Sequence, residues 1–192
     1  MMERIGLYGG SFDPVHLGHL LVAQAAHEEW QLDRIFFVPA AQSPFKPDSV
    51  PTPAPERIKM LRLALAGNVH AEVDEQELKR GGISFTIDTV RDYSSRFPAA
   101  KLFYLIGADN VAQLPKWREA VDLANLVEFL IIPRPGELKV PIPAPFRGDY
   151  LGGFPLAVSS SQIRARVKAG LSIDHLSLPA VSEAIRNNRL YF

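Results

Sequence analysis

The stretch Ile5-Gly6-Leu7-Tyr8-Gly9-Gly10-Ser11-Phe12-Asp13-Pro14-Val15-His16-Leu17-Gly18-His19 decides the fold. Residues 5–8 are a short apolar run ending in two glycines, the pattern of a buried strand that stops at a turn. Over 18–30 the apolar positions Leu20, Leu21, Ala23, Ala25 and Ala26 fit a helix laid on a core. The alternation then continues. Residues 34–38, 69–73, 101–106, 127–132 and 155–158 read as further strands. Helices are predicted over 55–66 (Ile58, Met60, Leu61 and Leu65 inward), 87–96, 110–113, 118–123, 161–168 and 179–187. Strands spaced by helices pair in parallel through crossovers, so the fold class is α/β, a layered parallel sheet with helices on both faces. Such sheets take ligands at the carboxyl ends of their strands, near a topological switch point.

The chain has 192 residues, 47% of them hydrophobic, enough for one domain over 1–192 with a sizeable core. Lysine plus arginine number 21, as do aspartate plus glutamate, which argues against a nucleic-acid partner. The absence of cysteine excludes disulfides, thiol catalysis and thiolate-bound zinc. The longest apolar runs, 102–106 and 129–132, are far below the ~20 residues of a membrane span. The first residues lack the pattern of a signal peptide, so a soluble cytoplasmic protein with no membrane partner is expected. A homo-oligomer stays open on sequence grounds. Of 16 prolines, six lie in 39–55 and five in 133–145, two connections that each follow a predicted strand on the ligand side.

His16-Leu17-Gly18-His19 places two imidazoles three residues apart at the mouth of the first helix. A helix mouth offers backbone N–H groups without intrahelical partners and a partial positive charge, hence an anion site. Glycines before it let a phosphate approach the backbone. A turn alone would explain Gly-Gly and Asp-Pro, but not two histidines around a glycine. Neither Gly-x-Gly-x-x-Gly nor the P-loop pattern is present. Toward the other end, Ser159-Ser160-Ser161-Gln162-Ile163-Arg164 opens a second helix. One serine suffices as a cap; three hydroxyls with an arginine one turn later suit a second phosphate cradle.

With these two motifs in this order, the chain resembles the nucleotidyltransferase superfamily that carries a His-x-Gly-His signature, most closely the bacterial nicotinate mononucleotide adenylyltransferases. The resemblance runs from about Ile5 to Tyr191. Phe37-Val38-Pro39 leads to Pro44-Phe45-Lys46, where family members often have a histidine in place of Phe45. Ser84-Phe85-Thr86, Gly107-Ala108-Asp109 and Leu114-Pro115-Lys116-Trp117 also look like family stretches.

The resemblance implies a Rossmann-like domain that joins ATP and nicotinate mononucleotide into deamido-NAD and pyrophosphate. Mg²⁺ would arrive on the ATP phosphates, and no metal site of the protein's own is expected. His16, His19 and Arg164 would be catalytic. Gly9, Gly10, Ser11, Phe12, Gly107, Asp109, Ser160 and Ser161 would bind ATP, with Asp109 open to a second reading as a helix cap. Thr86, Trp117 and Lys46 would bind the mononucleotide, Trp117 by stacking on the pyridine, and Arg118 could favour its carboxylate. Asp74, Glu75 and Glu77 with Lys79 and Arg80 read as a solvated face, and His27, His70, His175 and Trp30 as structural or surface residues. The rivals are a nicotinamide mononucleotide or phosphopantetheine acceptor, and a nucleotide sensor without catalysis.

Overall fold

In the computed structural model, which describes residues 2–44, 50–136, 138–153 and 156–192, the predicted alternation is present. Strands β1 (Arg4–Gly10), β2 (Arg34–Pro39), β3 (Ala71–Val73), β4 (Lys101–Gly107), β5 (Glu128–Ile132) and β6 (Gly148–Tyr150) form one sheet in the order β3-β2-β1-β4-β5-β6. Every neighbouring pair is parallel. The helices are α1 (Leu17–Trp30), α2 (Ala54–Leu65), α3 (Gln76–Arg80), α4 (Thr86–Arg96), α5 (Ala120–Leu126), α6 (Ser160–Lys168) and α7 (Pro179–Asn187). A 3-10 helix covers Ala108–Lys116.

The period of two along each strand divides the core. Ile5, Leu7, Phe36, Val38, Tyr104, Ile106, Phe129 and Ile131 pack with Val90 and Tyr93 of α4 and Leu123 of α5. Tyr8, Ile35, Phe37, Phe103, Leu105 and Leu130 pack with Ala26 of α1, Met60 and Leu61 of α2, Ile163 of α6 and Ile185 of α7. Both faces are thus covered, as a parallel sheet requires. The chain runs outward from β1 to β3, then crosses back to place β4 on β1's other side. Loops leaving the carboxyl ends of β1 and β4 therefore diverge, and a crevice opens between them.

Several expectations are corrected. The last strand among the described residues is β6; residues 156–158, expected as a strand, are irregular, and Pro155 lies outside the described residues. The segment Gly148–Tyr150 has no apolar alternation, and only pairing with Phe129, Leu130 and Ile131 at the sheet edge makes it a strand. Val69 is exposed, so β3 begins at Ala71. Helix α3 is too short to show a period; Asp74 Oδ1 starts it by accepting the Gln76 N–H at 2.9 Å. On α2 the inward stripe is Arg57, Met60, Leu61 and Leu65, with Ile58 only half-buried.

Candidate active site

The turn after β1 is held from beneath. A Cβ at Gly9 would strike the Tyr104 hydroxyl of β4 and force that ring to shift. Phe12 adopts a left-handed backbone, φ 46°. Its ring lies edge-on to Tyr8 at 5.4 Å and to His19 at 5.0 Å. The Phe12 side chain is therefore core, 2% exposed, which leaves only its backbone for the phosphate turn, the part it was expected to contribute. Buried Arg57 reaches up from α2: Nη1 donates to the carbonyls of Ser11 and Ala40, and Nε to that of Thr52, all at 2.9 Å. Asp13 completes the support. Its carboxylate accepts the Tyr191 hydroxyl at 2.7 Å and the Thr52 N–H at 3.1 Å.

His16 caps α1 and is buried; His19 follows one turn on. Their rings stack with centroids 3.7 Å apart and planes inclined by 28°. Gly18 allows this, since a Cβ there would come within 3.1 Å of the His16 ring and 2.9 Å of Val158. The His16 backbone N–H donates to His19 Nδ1 at 3.2 Å. A nitrogen that accepts carries no proton, so neutral His19 bears its hydrogen on Nε2. Burial lowers the His16 pKa to about 4. Burial, and secondarily the neighbouring His16, holds His19 well below the usual histidine value. Both rings are neutral at pH 7.

This has a consequence for stability. Below about pH 6.5 the unfolded chain takes up protons that the folded imidazoles refuse, so stability falls as the pH drops toward 4. For His16 alone the full window, from its ordinary 6.5 down to about 4, corresponds to about 3 kcal/mol. Urea midpoints should drop between pH 7.5 and 5, and drop less in a His16→Gln, His19→Gln double variant. Equal losses in both proteins would contradict it.

Facing these histidines is the N-terminus of α6. Ser159 is the cap: its hydroxyl accepts the Gln162 N–H at 3.2 Å, and Gln162 Oε1 accepts the Ser159 N–H at 2.9 Å. The Ser160 hydroxyl donates to the Pro14 carbonyl at 2.8 Å, and Arg164 Nη1 donates to the Asp13 carbonyl at 2.7 Å. The two motifs, some 145 residues apart in the chain, are thereby bonded to each other. Arg164 Nη2 lies 3.4 Å from the Ser161 hydroxyl.

The cleft between them has a volume of about 810 Å³. It gathers Gly9, Gly10, Ser11, His16, His19, Thr86, Gly107, Asp109, Trp117, Ser160, Ser161 and Arg164. Pro44, Pro51, Pro133 and Pro135, from the two proline-rich connections, line its rim. Trp117 is half-buried, its indole edge-on to Tyr104 and Phe129 at 6.5 and 6.3 Å. Thr86 begins α4 and its hydroxyl sits 3.5 Å from that of Tyr104. Asp109 lies inside the 3-10 helix, whose cap position is Gly107, and is ion-paired with Arg134 at 3.3 Å across the ends of β4 and β5. The capping reading of Asp109 is thus replaced by an ion pair at the cleft. Arg118 lies over the Phe85 ring and beside Asp88 and Glu119, so its charge is already matched. Lys46 and Phe45 lie outside the described residues. Among the described residues no three histidine, aspartate or glutamate side chains are placed to hold a metal ion.

A family model described as cytidylyltransferase-like matches residues 7–166, from β1 through both histidines to Arg164. The relative from Opitutus terrae named "Probable nicotinate-nucleotide adenylyltransferase" is 44% identical over 191 residues, 98% of this chain and 97% of its own. The chain belongs to the nicotinate-nucleotide adenylyltransferase family. A family member of the same name from Shouchella clausii is 40% identical over 99% of this chain and 97% of its own length. Two solved structures of Plasmodium falciparum nicotinic acid mononucleotide adenylyltransferase, complexed with NaAD and with APC, give TM-scores of 0.77 and 0.78. Each covers 98% of this chain and 97% of its own, at 20% and 19% identity, a likeness of fold.

In this nicotinate-nucleotide adenylyltransferase relative, Glu77 of the cleft and the charged residues Arg57 and Asp74 behind it carry no local signal in the sequence. Arg57 breaks an apolar stripe, which is a detectable oddity, but its three carbonyl partners lie in other elements. Glu77, read as part of a solvated face, is 3% exposed and lines the cleft. Asp74 likewise turns inward, its carboxylate taken by Tyr93 at 2.6 Å and Arg96 at 2.7 Å. His27 and His70, from α1 and the approach to β3, stack at 4.2 Å, a structural pairing away from the cleft.

Proposed function

We propose that this chain transfers the adenylyl group of ATP to nicotinate mononucleotide, releasing pyrophosphate and forming deamido-NAD. The observation that carries this reading is the stacked His16–His19 pair bonded, through the turn it caps, to the Arg164 helix across one cleft. A 5′-phosphate oxygen of the mononucleotide attacks the α-phosphorus of ATP. The bond from that phosphorus to the α,β-bridging oxygen breaks, and pyrophosphate leaves with the electron pair. The nucleophile is already an anion, so no base is required; the task is to align two polyanions and to stabilise the charge that develops.

Neutral His19 supplies a donor from Nε2, its tautomer fixed by the His16 N–H. His16 supports the same phosphates. Across the cleft the first-turn N–H groups at Ser160 and Ser161, the Ser161 hydroxyl and Arg164 would hold the leaving β- and γ-phosphates. Ser160 contributes backbone, since its hydroxyl serves Pro14. Gly9, Gly10, Ser11 and the Phe12 backbone leave room for the phosphate chain, and Gly107 and Asp109 suit the ATP ribose. Thr86 and Trp117 suit the mononucleotide, with Lys46 as a further candidate. Both Asp13 carboxylate oxygens are engaged, which supports Mg²⁺ entering as part of the MgATP substrate. We place the reaction in the cytoplasm; among the described residues no helix is long and apolar enough to cross a membrane.

The test is pyrophosphate release from ATP and Mg²⁺ with nicotinate mononucleotide, nicotinamide mononucleotide or phosphopantetheine in turn. Release is expected to be fastest with the first. Preference for another acceptor would correct the substrate, and tight ATP binding without any release would identify a sensor. Trp117→Ala should weaken the mononucleotide by roughly 10- to 100-fold, the scale of one lost stacking partner, and leave ATP affinity within about twofold. Equal losses for both substrates on separate titration would count against stacking.

A further inference from the structure

The cleft is assigned above to two polyanions, yet its wall contains a carboxylate. Asp13 lines the cleft and is 8% exposed, between the turn after β1 and His16. Left to rotate, such a group would repel phosphates brought beside it, because like charges interact strongly in a site partly withdrawn from water. The structure ties it down. Asp13 Oδ1 accepts the Tyr191 hydroxyl at 2.7 Å, and Oδ2 accepts the Thr52 N–H at 3.1 Å. Thr52 is itself fixed, since its carbonyl accepts Arg57 Nε at 2.9 Å, and it follows Pro51 of the cleft rim. A carboxylate gripped at both oxygens cannot turn toward the cleft without giving up both bonds, one of them short and charge-assisted.

Tyr191 reaches this place through an uncommon backbone. Beyond α7 the Leu190 N–H returns to the Ile185 carbonyl at 3.0 Å, and Arg189 and Tyr191 both adopt left-handed conformations, φ 49° and 69°. Residues other than glycine rarely do so, and such outliers persist where their surroundings hold them. The Tyr191 ring is half-buried against the core formed with Ile163 of α6 and Ile185 of α7. That packing accounts for an aromatic residue at 191 but not for its hydroxyl, which phenylalanine would lack. The hydroxyl is accounted for by the carboxylate it meets across 178 positions of chain.

We infer that Tyr191 is a positioning residue for ATP: its hydroxyl, with the Thr52 N–H, keeps the Asp13 carboxylate out of the space that the polyphosphate enters. The inference rests on the ATP half of the function proposed above. The test is the MgATP affinity of wild type, Tyr191→Phe, Asp13→Asn and the double variant, each read by calorimetric titration. Tyr191→Phe removes the hydroxyl and keeps the ring. It should weaken MgATP about tenfold where residue 13 is aspartate, the scale of one like charge brought near the phosphates. Where residue 13 is asparagine the same change should cost less than about twofold, because a neutral amide that comes loose repels no phosphate. A ring that served packing alone would cost the same in both backgrounds. Equal losses in the two backgrounds, or no loss in either, would overturn the inference. Should Tyr191→Phe fail to fold, Thr52→Pro carries the test. In a segment that already holds Pro51 and Pro53 it removes the other donor, and it must show the same dependence on residue 13. A wild-type protein that does not bind MgATP overturns both readings, whereas wild-type binding with unaltered affinity in the variants overturns only this one.

Discussion

Replacing His19 with alanine should lower turnover by about 10²–10³, with ATP affinity little changed, the scale for losing one preorganised donor. The ring is oriented from three sides. The His16 N–H fixes Nδ1 at 3.2 Å, the His16 imidazole stacks at 3.7 Å, and Phe12 meets it edge-on at 5.0 Å. A donor so held costs no reorganisation when charge develops on the α-phosphate, whereas water filling an alanine cavity must reorient. Its depressed pKa keeps the ring neutral, with Nδ1 accepting the His16 N–H and Nε2 carrying the hydrogen it donates. His19→Gln keeps an N–H donor and should retain more activity than the alanine variant. Turnover near that of wild type in His19→Ala, in a protein that folds, would remove the assigned role.

Arg57→Met should lower stability by about 3–5 kcal/mol, because it strips the donors from three part-buried carbonyls and removes the buried cation beside Asp13. For a chain of this size that is a drop of roughly 10 °C in Tm. Lysine would not substitute, since a point charge on a flexible stem cannot address Ser11, Ala40 and Thr52 together. Activity should fall further than stability alone requires, as the loss falls on the turn that carries His16. Thermal unfolding of the variant reads this directly, and a shift under about 2 °C would show that the three bonds count for little.

The half of the cleft built on the two histidines and the serine-capped helix was legible because its signals are local. Gly9-Gly10 after an apolar run, and two histidines around Gly18, state a strand, a turn and a helix mouth within fifteen residues. The serine cap before Arg164 is equally local. The roles inside those motifs were less so. Phe12 sits in the motif but is core, and Ser160 spends its hydroxyl on Pro14. Neither follows from residue type, since a phenylalanine or a serine in a turn can face either way. Asp74 and Glu77 looked like a solvated charge run because acidic residues usually are; α3 is too short for a period to reveal its buried side. The edge strand β6 has no pattern of its own and exists through its neighbour.

The sequence by itself determined the α/β class, the two helix mouths that open on the cleft and the side of the sheet on which that cleft lies. Each depends on backbone propensity and apolar period, which act over a few residues. Tertiary structure decided which groups meet: Tyr191 on Asp13 across 178 positions, Arg57 on Ser11 across 46, Arg164 on Asp13 across 151. Those partners satisfy buried polar atoms, and nothing local selects one distant carbonyl over another. Only the packed fold, by seating α2, α6 and the C-terminal residues around the turn after β1, makes the choice.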